Sequence, residues 1–251
     1  MDVVLPTSLE EAVAAFGSGA DVTVLAGGTI VMPQLAYGAL RPARVLMLGR
    51  SGLDQVSREN GKVTIGACVT VAALEELDEP LATAARHVAD GEIRAQATLG
   101  GNLCAPPVSE APRGDLQAPL LALGASVRSV GPGGERTEPL EEFLASAPNS
   151  RLVLDVSYDD LERKSAYAAA RRPHTHHYTL LAVAATKAGD ELRMAATGVG
   201  PHAVRLTSVE RTGSPEAALD DCEPGDDALA SAWYRRKVLP KLVQRAIEEV
   251  A

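Results

Sequence analysis

The segment VTVLAGGT at 22–29 constrains this chain more than any other, because a strand-length apolar run passes without a spacer into two glycines. Val and Leu at that density predict a buried strand. Paired glycines let the backbone turn sharply and approach a ligand with no Cβ in the way. The N–H groups of such a turn can cradle phosphate oxygens, the more so where a helix begins just after it. A second glycine pair follows about 70 residues later, in TLGGN at 98–102. Thr29, Thr98 and Asn102 add neutral hydrogen-bonding side chains. Taken singly, each pair reads equally well as a tight turn. Two of them, one on each candidate subdomain, point to a ligand held in the cleft between. Neither fits G-x-G-x-x-G after a strand or G-x-x-x-x-G-K-[ST], which argues against a Rossmann NAD site and a P-loop ATPase.

The rest of the chain supplies alternating helical and strand signals. Thr7 or Ser8, followed three residues later by Glu10 or Glu11, reads as a capping box for the helix SLEEAVAAF, which ends at Gly17. Strands are expected at RVLML (44–48) and KVTIGA (62–67), the second after an Asn60-Gly61 turn. Thr70 caps a short helix that Pro80 closes, and 81–95 reads as helical up to the second glycine pair. APLLALGA (118–125) reads as a short buried helix, then ASVRSV as a strand and GPGGE as a flexible turn, opening a region of mixed character up to PLEEFL (139–144). After Pro148 the pattern changes. RLVLDVSY (151–158) alternates as a strand, and SAYAAAR with LLAVAATKAGDELRMAATGVG reads as an antiparallel meander turning at Gly189-Asp190. A helix over 180–188 stays open, since alanines are ambiguous. The last helix carries Leu229, Trp233, Leu242, Ala246, Ile247 and Val250 near helical spacing, and Pro240 is expected to kink or split it.

Composition narrows the partners. The net charge is −9 with no basic block, which argues against nucleic acid or an anionic membrane as partner. No run of about 18 apolar residues predicts a transmembrane helix. The N-terminus MDVVLPTSLEEA lacks a basic start and an apolar run, so no signal peptide is expected and the default compartment is the reducing cytoplasm. Cys68, Cys104 and Cys222 are too widely spaced for an iron–sulfur or zinc set or a disulfide framework. Only 3% of residues are aromatic, so the core is built from Ala, Val and Leu.

Several residues invite sharper readings. His174, His176 and His177 resemble a metal cluster, but no Cys, Asp or Glu completes it nearby, and a surface or interface cluster is the plainer reading. Cys104 reads as a small buried thiol. Arg171 with Arg172, and Arg235, Arg236 and Lys237, read as solvated faces. Trp233 reads as a helix-packing residue, and the acidic stretch 216–227 as a solvated loop. No Ser-His-Asp set or catalytic carboxylate pair is recognisable.

LAGGT (25–29), VTIGACVTVAALEE (63–76), IRAQATLGGNLCAP (93–106) and APLLALGASV (118–127) resemble the FAD-binding medium subunits of molybdenum hydroxylases, of the carbon monoxide dehydrogenase and xanthine dehydrogenase type. The resemblance continues through RTEPLEEFL, GVGPHAVRL and ASAWYRRKVLPKLVQRAIEEV, in the same order. It implies an α+β chain with a two-part FAD-binding domain of the vanillyl-alcohol-oxidase (PCMH) type over 1–150 (subdomains about 1–55 and 56–150). A small C-terminal α/β domain, an antiparallel sheet plus helices, would follow over 151–251. Ala26, Gly27, Gly28, Thr29 and Ile30, with Thr98, Leu99, Gly100, Gly101 and Asn102, would grip the FAD pyrophosphate and neighbouring groups. Asp115 would lie close to the cofactor. Ile30 stands where relatives often have Asp, leaving that position its backbone N–H. CAPPVSEAPRG lengthens the run to Asp115, and AYAAAR lacks the Lys that many relatives carry around 167–170.

The resemblance further implies electron transfer: from a [2Fe–2S] small subunit, beside a molybdopterin-bearing large subunit, through FAD to NAD, a quinone or oxygen. No metal ligand and no catalytic acid or base is expected on this chain. A stand-alone FAD oxidase or reductase, or a degenerate flavin fold kept as an assembly subunit, are the rival readings.

Overall fold

The computed structural model describes residues 1–105, 114–146, 150–171 and 179–251. The first helix, α1 (Leu9–Phe16), starts at Ser8, whose Oγ accepts from the Glu11 N–H at 3.2 Å. Glu11 Oε2 reaches back to Thr7, accepting from its N–H at 2.7 Å and its hydroxyl at 2.8 Å. The capping box is therefore spread over both candidate residues. Gly17, at φ 58°, ends the helix.

α1 connects β1 (Asp2–Val4) to β2 (Val22–Leu25) in a three-stranded parallel sheet, with β3 (Arg44–Met47) between them. Parallel strands require crossovers. The crossover from β2 to β3 contains the first glycine motif and α2 (Val31–Ala36). That motif thus stands at the carboxyl end of a parallel strand, where open α/β sheets take ligands.

The second unit is a five-stranded antiparallel sheet made of β4 (Val56–Glu59), β5 (Lys62–Gly66), β6 (Ser126–Gly131), β7 (Gly134–Pro139) and β8 (Leu152–Asp159), in the order β4-β5-β8-β6-β7. Asn60 and Gly61 both take positive φ, 53° and 72°, as the two-residue turn between β4 and β5 demands. Between β5 and β6 run α3 (Val71–Leu74), α4 (Leu81–Arg86), α5 (Gly91–Gln96), α6 (Leu99–Leu103) and α7 (Gln117–Ala122), and α8 (Leu140–Ala145) follows β7. The helix expected over 81–95 is two helices, because Asp90 caps a new one by accepting from the Ile93 N–H at 2.9 Å.

Two expectations are corrected here. The strand at 151–158 is β8, and it lies between β5 and β6 in the middle sheet, not in the C-terminal one. By sheet membership the C-terminal unit therefore begins after Asp159, later than the expected boundary at 151. Alternation marks a strand but is silent about which sheet it joins. TLGGN is also not a loop but the N-cap and first turns of α6.

The C-terminal unit is the expected meander, β9 (Lys164–Arg171), β10 (Thr179–Ala188), β11 (Glu191–Thr197) and β12 (Val204–Arg205), ordered β12-β11-β10-β9. β10 is a strand, not a helix, and is buried on both faces. Leu181, Val183 and Ala185 pack on α10 (Ala232–Val250) and its surroundings, while Ala184 joins the core of the middle unit. Covering both faces erases the polar–apolar alternation that would have announced it. α10 runs unbroken through Pro240. The proline removes one hydrogen bond, and burial of Leu239, Leu242, Val243 and Ala246 around it offsets that loss. The preceding connection holds α9 (Thr207–Thr212) and a 3₁₀ turn over Pro215–Asp220.

Candidate functional site

Gly27 and Gly28 are glycines for different reasons. A Cβ at Gly27 would lie 2.0 Å from the Gln96 carbonyl oxygen and 3.0 Å from Ala97 Cα, so only a bare Cα fits there. Gly28 takes φ +75°, the region that favours glycine. The contact at Gly27 joins the two motifs in space, since Gln96 and Ala97 lead directly into Thr98. Ala26 is half-buried against the core beneath the first unit. Among the described residues, the backbone N–H groups of Gly27, Gly28, Thr29, Ile30 and Val31 donate to no protein acceptor, and the first bond past the turn is Met32 N–H to the Gly28 carbonyl at 2.8 Å. Ile30 precedes α2 without any side-chain cap. Five unengaged donors on one half-buried turn form an anion cradle in the physical sense.

The second motif differs. Thr98 caps α6 and accepts from the Gly101 N–H at 3.3 Å. Leu99 N–H donates to the Val69 carbonyl and Gly100 N–H to that of Ala67, each at 2.9 Å. The backbone donors of Leu99, Gly100 and Gly101 are therefore already used by the protein. Gly100 is needed because a Cβ would press on Ala67 at 3.0 Å, whereas Gly101 is exposed. This motif offers a smooth, close-packed wall, not a second set of free N–H groups. Leu99 points into the core at 0% exposure.

Asn102 and Asp115 are both buried. Asn102 Oδ1 accepts from the Leu116 N–H at 2.9 Å, which pins the residue after Asp115 onto α6. Gln117 extends the clamp, its Nε2 donating to the Leu103 carbonyl and its Oε1 accepting from the Ala203 N–H, both at 2.9 Å. Thus the first turn, α6, Asp115 and the C-terminal unit are linked in one series. Gln117 bears no motif that would mark it in the sequence, and its role exists only once α6 and residue 203 are brought together.

The remaining candidates sort differently from expectation. Arg235 is not solvated: it is 3% exposed, with Nη2 donating to both Asp227 oxygens at 2.7 and 2.8 Å and Nη1 to the Gly225 carbonyl at 2.8 Å. The acidic stretch is correspondingly structural in part, since Asp221 accepts from Ser208 and Thr207 at the start of α9, and Asp226 from the Ala232 N–H. Trp233 is 69% exposed and packs no helix. Helical spacing alone gave Trp233 to the buried face and left Arg235 off it, because an ion pair can draw a cation inward. Burial pushes the Cys104 thiol up to about 12 and those of Cys68 and Cys222 up to about 11, so all three stay protonated at neutral pH. Arg171 Nη2 lies against His87 Nε2, and Arg172, His174, His176 and His177 lie outside the described residues.

Residues 1–158 match the FAD binding domain in molybdopterin dehydrogenase. The chain is 26% identical to the carbon monoxide dehydrogenase medium chain of Hydrogenophaga pseudoflava over 281 aligned positions, covering 96% of this chain and 94% of that one. It is 38% identical to caffeine dehydrogenase subunit beta of Pseudomonas sp. (strain CBB1) over 164 positions, 61% of this chain and 54% of that one. The fold is shared with a carbon monoxide dehydrogenase structure from Hydrogenophaga pseudoflava, with a TM-score of 0.84 at 24% identity, covering 100% of this chain and 96% of that chain. An FAD-binding domain followed by a sheet domain is the class that fold and sequence define together. Within it, the chain belongs to the molybdopterin dehydrogenase flavoprotein family, as an FAD-binding medium subunit of the molybdenum hydroxylase type.

FAD is accordingly its cofactor. The residues present fit that group on structural grounds: a glycine turn with five unengaged N–H groups lies against the wall of α6.

Proposed function

We propose that this chain is the electron-relay subunit of a multi-subunit molybdopterin-dependent hydroxylase or dehydrogenase. It would take electrons from [2Fe–2S] centres on a small partner subunit, beside a molybdopterin-bearing large subunit, and deliver them to an external acceptor such as NAD, a quinone or oxygen. FAD, when bound, supplies the redox chemistry. The observation that carries the reading is the abutment of Gly27 on the Gln96 carbonyl, which sets the free N–H groups of residues 27–31 beside α6.

The roles follow from that geometry. Ala26, Gly27, Gly28, Thr29 and Ile30 hold the pyrophosphate through backbone N–H groups, with the Thr29 hydroxyl as a neutral addition. Thr98, Leu99, Gly100 and Gly101 form the opposing wall, Thr98 by capping α6 and Leu99 by anchoring it in the core. Asn102 holds the Asp115 segment in place, and Asp115 faces the cofactor from the side of the C-terminal unit. No side chain is assigned acid or base work. The chain's task is to bind, orient and exclude water.

The test is an absorption spectrum of the purified chain, with mass identification of what denaturation releases, followed by metal analysis of the complex it forms in its host. Flavin bands, released FAD, and molybdenum and iron in the complex are expected. A chain that stays colourless with added FAD, or turns over a small molecule unaided, would overturn the proposal.

A further inference from the structure

Asp115 lies within a tight turn over 114–117, which the Gln117 N–H closes by donating to the Gly114 carbonyl at 3.1 Å. The residue after it, Leu116, donates its N–H to Asn102 Oδ1 at 2.9 Å. Thr197 Oγ1, at the end of β11, reaches the Gly114 carbonyl at 3.5 Å. The backbone on both sides of Asp115 is therefore held from other segments, and Asp115 is itself buried.

The Gln117 side chain folds back across this turn. A Cβ on Gly114 would lie 2.1 Å from Gln117 Nε2 and 2.2 Å from its Cδ, so Gly114 is a glycine to let that amide pass. Nε2 goes on to donate to the Leu103 carbonyl at the end of α6, and Oε1 accepts from the Ala203 N–H in the connection from β11 to β12. Gln117 is 3% exposed, and Leu116, Ala118 and Leu120 around it are fully buried apolar residues. An apolar side chain would fill such a position without desolvating an amide. The net stability from one buried hydrogen bond is modest. What an amide bonded at both ends supplies is direction: it fixes where the turn, α6 and the C-terminal unit stand relative to one another.

We propose that Gln117 is a positioning residue for the Asp115 carboxylate, pinning its turn between α6 and the C-terminal unit so that the carboxylate keeps one place against the cofactor. The inference rests on the FAD assignment and on Asp115 facing the cofactor, and it adds the residue that sets that geometry. Gln117 acts through Asp115 and needs no contact of its own with FAD. Its removal should therefore reproduce the effect of losing the carboxylate. Once the carboxylate is gone, removing Gln117 should have nothing further to disturb.

Full-length wild type, Asp115→Asn, Gln117→Met, the double variant and Gly114→Ala would each be reconstituted with FAD. The readouts are the FAD dissociation constant and the flavin midpoint potential from dye-equilibrated titration, with a urea midpoint for folding. Gln117→Met keeps the volume and loses the amide. It should bind FAD about tenfold more weakly and move the potential in the same direction as Asp115→Asn. The double variant should match Asp115→Asn alone, the non-additivity expected of residues acting as one unit. Should Gln117→Met fail to fold, Gly114→Ala, which keeps the amide but displaces it, takes its place. Wild-type affinity and potential in folded Gln117→Met, with only the urea midpoint lowered, would overturn the proposal and leave Gln117 a structural residue. Effects that add in the double variant would overturn it as well, since Gln117 would then act independently of Asp115. An Asp115→Asn protein with unchanged affinity and potential would remove the Asp115 reading and this inference with it, and wild type that takes up no FAD would overturn the FAD reading itself.

Discussion

At the scale of single residues, the glycines divide by what surrounds them. Gly27 is required by close approach, with the Gln96 carbonyl oxygen 2.0 Å from where a Cβ would stand. Gly61 is required only by its φ of 72°, with nothing within 4 Å of its would-be Cβ. The two substitutions should therefore behave differently. Gly27→Ala forces two backbone segments apart and should destabilise by roughly 1–3 kcal/mol or more, and it should strip FAD, because those segments carry the two motifs. Gly61→Ala should lose about 1 kcal/mol through strain at positive φ and retain FAD. Urea midpoints and flavin absorbance after gel filtration check both. Equal loss of flavin in the two variants would contradict the assignment of the site to Gly27.

At the scale of elements, α10 and the segment before it show how an ion pair replaces apolar packing. Asp227 accepts from the N–H groups of Leu229 and Ala230 and from Arg235, so it orders the approach to α10 and neutralises a cation held at 3% exposure. Removing one partner of such a pair strands the other. Asp227→Ala should destabilise by roughly 3–5 kcal/mol. Arg245, paired with Glu249 at 2.9 Å on the exposed face of the same helix, should tolerate Ala for about 0.5 kcal/mol. Thermal denaturation followed by circular dichroism measures the contrast, and a small loss for Asp227→Ala would show that Arg235 finds another partner. The contrast also explains why Trp233 and Arg235 exchange places relative to a simple apolar face.

At the scale of the whole molecule, the units are coupled. Ala184, Ala195 and Ala203 of the C-terminal unit belong to the same buried cluster as Leu99, Leu103 and Leu120. Thr186 Oγ1 donates to the Ala122 carbonyl at 2.6 Å, and Gln117 bridges α6 to residue 203. Phe16 and Leu46 similarly share a cluster with Val130, Leu152 and Leu154, joining the first unit to the second. Unfolding should consequently be one cooperative transition. Because the proposed FAD site is assembled from segments that come together only in the folded chain, free FAD at 100 times its Kd should add about 2.7 kcal/mol. Calorimetry at two FAD concentrations tests this, and two separate transitions of which FAD moves only one would contradict the coupling.

The local chemistry of this protein is legible in the residues themselves. The cap at Thr7-Ser8, the turn at Asn60-Gly61, the strand running into Gly27-Gly28 and the meander turning at Gly189 all depend on neighbours a few positions away, which the chain states directly. What only the tertiary structure decides are pairings between distant segments. β8 could pair with either sheet until β5 and β6 close around it, and β10 loses its alternation because α7 and α10 cover opposite faces. The N–H groups of TLGGN look as free in sequence as those of AGGT, until Val69 and Ala67 accept two of them. Burial of Arg235 is likewise a product of closure around it. Hydrogen-bond partners and dielectric surroundings are properties of the folded space around a residue, and no spacing along the chain encodes them.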